Sequence, residues 1–199
     1  MKIVIIKYNA GNIQSVSFAL ERLGYQAEIT ADHDAIRNAD KVIFPGVGEA
    51  STTMAYLKSE GLDQLIPSLK QPVLGICLGM QLMCSHSEEG DTPCLGIFDE
   101  KVKKFIAPPK DSGNIKIPHM GWNQLTNVRE PLFNKELENE YVYFVHSFYV
   151  ATGPDTAAES NYIHPFSAAL RKDNFYATQF HPEKSSKAGE QILRNFLEM

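Results

Sequence analysis

The sequence holds no apolar run of the roughly 20 residues that a membrane-spanning helix needs, so none is expected. Cysteine is scarce. Cys77, Cys84 and Cys94 make three, an odd number without metal-ligand spacing. That argues against a disulfide scaffold and a metal site, and fits a reducing cytoplasm. Positive charge is not in excess either: 19 Lys and Arg against 24 Asp and Glu leave a net charge of -5, a poor match to general nucleic-acid binding. The small basic cluster Lys101, Lys103 and Lys104 reads as the solvated side of a strand. Internal repeats, low-complexity tracts and Ser/Gly linkers are lacking, so residues 1–199 read as one domain. With 43% hydrophobic residues it has ample material for a core. The apolar start, Met1-Lys2-Ile3-Val4-Ile5-Ile6, is too short for a signal-peptide core and lacks a cleavage site. It reads as a first strand.

What is present is an alternation of periods. Strand patterns at 2–7, 27–30, 41–44 and 73–76 are separated by helical patterns at 12–23 and 49–60, with Gly24 and Gly61 placed to end the helices. This βαβα order predicts a parallel sheet covered by helices on both faces. From Leu95 the texture changes to short strands between turn residues, at 95–98, 102–106, 122–126, 141–150, 157–162 and 168–171. These suggest antiparallel additions. An amphipathic helix over 187–199 closes the pattern, with Ile192, Leu193, Phe196 and Leu197 inward.

Gly75-Ile76-Cys77-Leu78-Gly79 lies between the strand pattern ending at Ile76 and a helical run beginning at Met80. A G-x-C-x-G at a strand-to-helix turn is the cysteine form of a nucleophile elbow, with the thiol at the apex and the helix N-terminus favouring thiolate. A buried cysteine in an ordinary βα turn has the same appearance. His181-Pro182-Glu183 decides between them. It follows the aromatic strand pattern Phe175–Phe180, and Pro182 takes the chain out of the sheet. A histidine there can take the thiol proton and return it to a leaving amine, and Glu183 can fix its tautomer. Alone, the tripeptide would be a surface turn. With the elbow, Cys77, His181 and Glu183 are the expected catalytic triad.

Other segments fit around this. Pro45-Gly46-Val47-Gly48 ends a strand where open α/β sheets place their sites, and it lacks the length and lysine of a phosphate-binding loop. The Val47 amide, together with that of Leu78, can form an oxyanion hole. His146-Ser147-Phe148 ends an apolar strand and reads as a pocket wall, with backbone groups of Ser147 and Phe148 free to bind polar ligand atoms. Pro118-His119-Met120-Gly121-Trp122-Asn123 reads as a loop carrying the single Trp, which composition favours as a core plug over an interface anchor. Cys84, two helical turns after Cys77, reads as a core residue, and Cys94 as a loop residue without a role.

Gly75-Ile76-Cys77-Leu78-Gly79-Met80-Gln81 with His181-Pro182-Glu183 resembles the class I (triad) glutamine amidotransferases. Within that superfamily, Tyr8-Asn9-Ala10-Gly11-Asn12 with Ser15-Val16, Gly46-Val47-Gly48 in place of the commoner Gly-Gly pair, and Pro118–Asn123 are similar to the glutaminase subunits of imidazole glycerol phosphate synthases. The likeness runs along the whole chain. It departs at Lys7, where that family commonly has Asp. The resemblance implies a three-layer, flavodoxin-like α/β fold with a central, mostly parallel sheet and antiparallel additions in the second half. It also implies hydrolysis of glutamine without cofactor or metal. Gly48, Gln81, Ser147 and Phe148 would hold glutamine. Gly11, Asn12, Met120 and Trp122 would face a (β/α)₈-barrel cyclase subunit that uses the ammonia to make imidazole glycerol phosphate and aminoimidazole carboxamide ribotide in histidine biosynthesis. On this basis Trp122 becomes an interface anchor. Glutaminases of pyridoxal phosphate or anthranilate synthase are rival readings that the Gly-Val-Gly segment and the Trp122 segment disfavour. A thiol redox sensor or chaperone on a similar sheet would have no need of His-Pro-Glu, while a peptidase also fits Cys and His.

Overall fold

The structure, a computed structural model, describes residues 1–8, 12–109 and 115–199. Its centre is a seven-stranded sheet built from β1 (Ile3–Ile6), β2 (Ala27–Thr30), β3 (Lys41–Gly46), β4 (Val73–Cys77), β11 (Thr156–Asn161), β12 (Pro165–Lys172) and β13 (Phe175–Thr178). Their order is β11-β12-β13-β4-β3-β1-β2. The five strands from β13 to β2 pair in parallel, and β12 and β11 extend the sheet antiparallel. A parallel sheet buried on both faces needs continuous apolar runs, and β1 and β4 supply them with every residue buried.

Alternate residues of β1 face opposite cores. Ile3 and Ile5 join Val16 and Leu20 of α1 (Ile13–Arg22) and Ile192 and Phe196 of α6 (Ser186–Glu198). Val4 and Ile6 join Leu57 of α3 (Ala50–Ser59), Ile66 of α4 (Leu62–Ser68), Met80 and Met83 of α5 (Leu78–Met83) and Ile36 of α2 (His33–Arg37). The result is the expected α/β sandwich of three layers, with its mostly parallel centre and antiparallel additions.

Two further sheets lie beside it. One joins β5 (His86–Ser87), β6 (Thr92–Pro93), β7 (Lys101–Lys104) and β10 (Phe148–Val150). The other pairs β8 (His119–Gln124) with β9 (Tyr141–His146), His119 opposite His146 and Trp122 opposite Tyr143. The expected strand at 141–150 is therefore broken at Ser147, and its halves serve different sheets. Pro118–Asn123, expected as a loop, is a strand from His119 on: His119 is buried while Met120 and Trp122 point out.

Leu95–Phe98, expected as a strand, is not one. Its amides instead bond the carbonyls of Leu82, Met83 and Cys84 at 2.8–3.0 Å. A helix C-terminus leaves its last carbonyls without partners, and this segment supplies them to α5. The short helices α2 and α4 lack sequence periodicity. The first is set by Asp32, whose side chain accepts from the Ala35 amide at 2.7 Å, and the second contains Pro67.

Candidate active site

Strands β3, β4 and β13 are neighbours, with Gly46 opposite Cys77 and Thr178 opposite Ile76. Their C-terminal ends thus bring the 46–48 segment, Cys77 and the run to His181 to one edge of the sheet, although the last two are about 100 residues apart. Cys77 has φ 54° and ψ -107°, a conformation that side-chain-bearing residues seldom adopt. It is held by neighbours that leave no slack: a Cβ on Gly79 would lie 2.0 Å from the Phe44 carbonyl oxygen. The elbow glycine is required less for turning than for letting α5 touch β3.

The thiol contacts the Val145 carbonyl at 3.8 Å, and the Gln179 side-chain amide donates to it at 3.9 Å. His181 lies beside it, 3% exposed, its Nδ1 hydrogen-bonded to Glu183 Oε1 at 2.8 Å. Burial pushes the imidazole toward the neutral form. Hydrogen bonds to Cys77 and Glu183 and their negative charge outweigh it and lift the imidazole to about 10. The site therefore favours the protonated form of the ring. With Nδ1 committed to Glu183, Nε2 is the nitrogen that serves the thiol.

Asn12 was expected at a partner interface. Its side-chain amide donates to Glu183 Oε1 and lies 3.4 Å from His181 Nδ1. It occupies the left-handed position at the start of α1, φ 73°, which aims it at the triad. Glu183 Oε2 is buried, with no hydrogen-bond partner among the described residues. Gly11 lies outside the described residues.

A cavity of about 370 Å³ opens onto Cys77 and His181. Val47, Gly48, Leu78, Gln81, Ser147 and Phe148 all line it, and Glu183 stands behind His181. Tyr8 fixes the Val47 side by donating its hydroxyl to the Pro45 carbonyl. Burial and the nearby Cys77 charge push that hydroxyl up, so it stays a neutral donor. Val47 keeps a non-positive φ, and Gly48 takes φ 127°. Gln81 donates to the Phe148 carbonyl at 3.2 Å, which locks the opposite wall to α5. His146 lines the cavity as the sequence suggested, but burial pushes its imidazole down to about 3, so it is no rival base.

Pro118, from the segment quoted in the sequence, also lines the cavity, as do Glu89, Val145 and Lys184, which were not singled out there. Glu89 brings a carboxylate that accepts from the Ala50 amide at 2.9 Å. Nothing local marked it, because it sits in a turn between two two-residue strands. Met120 and Trp122 lie outside the cavity, 62% and 51% exposed, large apolar side chains on one face of β8. Among the described residues no cluster of His, Cys, Asp and Glu could hold a metal ion, and no helix is long and apolar enough to cross a membrane.

A family model described as "Glutamine amidotransferase class-I" matches residues 4–199. The chain is 64% identical, over the full length of both, to the imidazole glycerol phosphate synthase subunit HisH of Bacteroides thetaiotaomicron. It is 48% identical to the subunit of the same name from Idiomarina loihiensis, covering all of this chain and 98% of that one. Among solved structures, a glutamine amidotransferase superposes with a TM-score of 0.73 at 18% identity, covering 98% of this chain and 97% of that one. PurLQS from Thermotoga maritima gives 0.69 at 14% identity, covering 99% and 97%. At these identities the two structures speak for the fold alone.

Proposed function

The chain belongs to the class-I glutamine amidotransferase family, and from that premise we propose that it is the glutaminase subunit of an imidazole glycerol phosphate synthase in histidine biosynthesis. The observation that carries the chemistry is a strained, pocket-facing cysteine beside an imidazole that is backed by a buried carboxylate. The observation that carries the destination is 64% identity over the whole chain to a subunit of that synthase.

In this reading the Cys77 sulfur attacks the side-chain amide carbon of glutamine. The carbonyl π electrons move to oxygen, where the Val47 and Leu78 amides meet the developing charge. The tetrahedral intermediate collapses, the C–N bond breaks, and His181 Nε2 delivers a proton to the leaving ammonia. A water deprotonated by His181 then cleaves the thioester to glutamate and regenerates the thiol. Glu183 holds the ring tautomer and stabilises the imidazolium. Gly48, Gln81, Ser147 and Phe148 hold the substrate, and the Glu89 carboxylate suits its ammonium group. The residues 1–199 act as one glutaminase domain and need no cofactor.

Ammonia released into water would be protonated and lose its nucleophilic lone pair, so the product favours sealed delivery. A (β/α)₈-barrel cyclase subunit docks over the site as the partner, with Met120 and Trp122 as apolar anchors. The same contact is assigned to Asn12, which has a second duty toward Glu183, and to Gly11, its neighbour in sequence. The pair works in the cytoplasm.

The test compares glutamine hydrolysis by the wild-type chain and by Cys77→Ser, each with the cyclase subunit. Hydrolysis falls to background in the variant, while synthesis from added ammonium salts persists. Glutamine hydrolysis that survives Cys77→Ser removes the thiol from its role. Loss of ammonia-supported synthesis as well would show that the substitution had broken the complex.

A further inference from the structure

A run of polar side chains passes through the interior from β8 to the catalytic thiol, and most of its members have no part in the mechanism above. His146 Nδ1 lies 2.7 Å from the Phe148 carbonyl oxygen, and His146 Nε2 lies 2.9 Å from His119 Nδ1. A carbonyl only accepts, so His146 Nδ1 carries the proton and donates. Its Nε2 then accepts, and His119 Nδ1 donates to it. His119 Nε2, left as an acceptor, faces the Asn123 amide nitrogen at 3.5 Å. Asn123 cannot turn round, because its nitrogen also donates to the Asn161 carbonyl at 2.7 Å and its oxygen accepts from the Gln124 amide at 2.9 Å.

The run continues beyond Phe148. Gln81 donates to the same carbonyl at 3.2 Å and to Gln179 Oε1 at 3.0 Å, and Gln179 donates to Cys77 Sγ. One proton arrangement satisfies the whole chain from Asn123 to Sγ. His119, His146, Gln81 and Gln179 are all at most 5% exposed. Buried polar groups are costly unless paired, and here each depends on the next. Apolar side chains at 119 and 146 would serve the core equally well as packing. His119 already stacks between Phe144 and Tyr162, ring centroids 4.9 and 4.0 Å away.

We propose that His119 and His146 are positioning residues for glutamine hydrolysis, fixing the Phe148 carbonyl and Gln81 so that the substrate-binding wall stays in register with Cys77. The inference rests on the glutaminase reading and deepens it. Its outer end lies on β8, the strand whose exposed face carries Met120 and Trp122, so a partner seated there touches the strand from which the wall is held.

The test uses the protein with its cyclase subunit. His119→Phe keeps the aromatic stack but removes the donor to His146. His119→Asn removes the stack but keeps an N–H where Nδ1 stood. The Michaelis constant for glutamine rises about tenfold in His119→Phe, the loss of one buried hydrogen bond, with kcat within about twofold. His119→Asn restores it to within about twofold of wild type. The pair His146→Leu and His146→Asn repeats the contrast one step along the chain, and ammonia-supported synthesis reports which variants are folded and docked. Equal Michaelis constants within both pairs would overturn the proposal, since packing rather than the proton chain would then matter. If the unsubstituted protein shows no Cys77-dependent hydrolysis, the functional reading fails together with this one. Hydrolysis present without the contrast sinks this one alone.

Discussion

Glu183→Gln changes the triad by one charge and almost no volume. In the native site Oε1 accepts from His181 Nδ1 at 2.8 Å and from Asn12, while Oε2 is buried with no partner among the described residues. The variant keeps both hydrogen bonds only with its carbonyl oxygen in the place of Oε1. Its NH₂ group then occupies the unpartnered site as a buried donor without an acceptor. The opposite orientation points two donors at a third. Either way the charge-assisted bond is lost, worth roughly 1.5–3 kcal/mol, or about 10- to 150-fold in hydrolysis. A second consequence has a definite sign. Glu183 is one of the groups that lift His181 to about 10 against its own desolvation. Without that negative charge the imidazolium gives up its proton at lower pH, and the alkaline limb of kcat moves toward neutrality. The assay is glutamate release across pH 6 to 10 for wild type, Glu183→Gln, His181→Ala and the double variant. Triad members act as a unit, so the double variant is little worse than His181→Ala. An unmoved alkaline limb, a loss below about threefold, or additive losses would each refute the argument that Glu183 acts through His181.

Three other outcomes follow from the same geometry. Gly79→Ala places a Cβ 2.0 Å from the Phe44 carbonyl oxygen, a backbone atom that cannot rotate away, so thermal unfolding drops by at least the roughly 1–3 kcal/mol of an overpacked core. Wild-type stability with an intact alkylation rate at Cys77 would contradict the tight elbow. Burial lowers His119 from 6.5 to about 4, so the unfolded chain binds the extra proton between those values and stability falls as pH falls through that window, by about 3 kcal/mol from this group. His181 is raised instead, so its contribution is complete below pH 6.5 and is lost only as pH rises toward 10. Urea unfolding of wild type against His119→Asn reads the difference, and parallel curves would remove His119 as the cause. Finally, the chain alone is a poor glutaminase and its ligand-loaded partner stimulates it. Val47 keeps a non-positive φ beside Gly48, and a flip of that peptide would supply the second oxyanion donor. Val47→Pro lacks the N–H, so stimulated turnover drops on the order of 10²–10³. Equal rates with and without partner, or unchanged stimulation in Val47→Pro, would end the idea.

The sequence by itself determined whatever depends on neighbours along the chain. The fully apolar Ile3–Ile6 run can only be a strand buried on both faces, and α6 repeats its apolar stripe at helical period. The glycines around Cys77 and the proline after His181 are local turn chemistry, so both halves of the triad were legible before the sheet that joins them. Tertiary structure decided what depends on register between distant segments. Only the β13-β4-β3 order brings His181 to Cys77. Only the break at Ser147 turns one apolar run into two strands with a pocket wall between them. Leu95–Phe98 has strand composition, yet its amides are taken by the unpartnered carbonyls of α5, a demand no local pattern reveals. Asn12 reads in sequence as a partner contact by resemblance alone, and its bond to Glu183 spans 171 positions. His119 reads as a loop residue and His146 as part of a pocket wall, and nothing in the sequence joins them until β8 and β9 are paired. Their meeting at 2.9 Å is a matter of register, and a slip of either strand by one residue would turn its histidine to the opposite face.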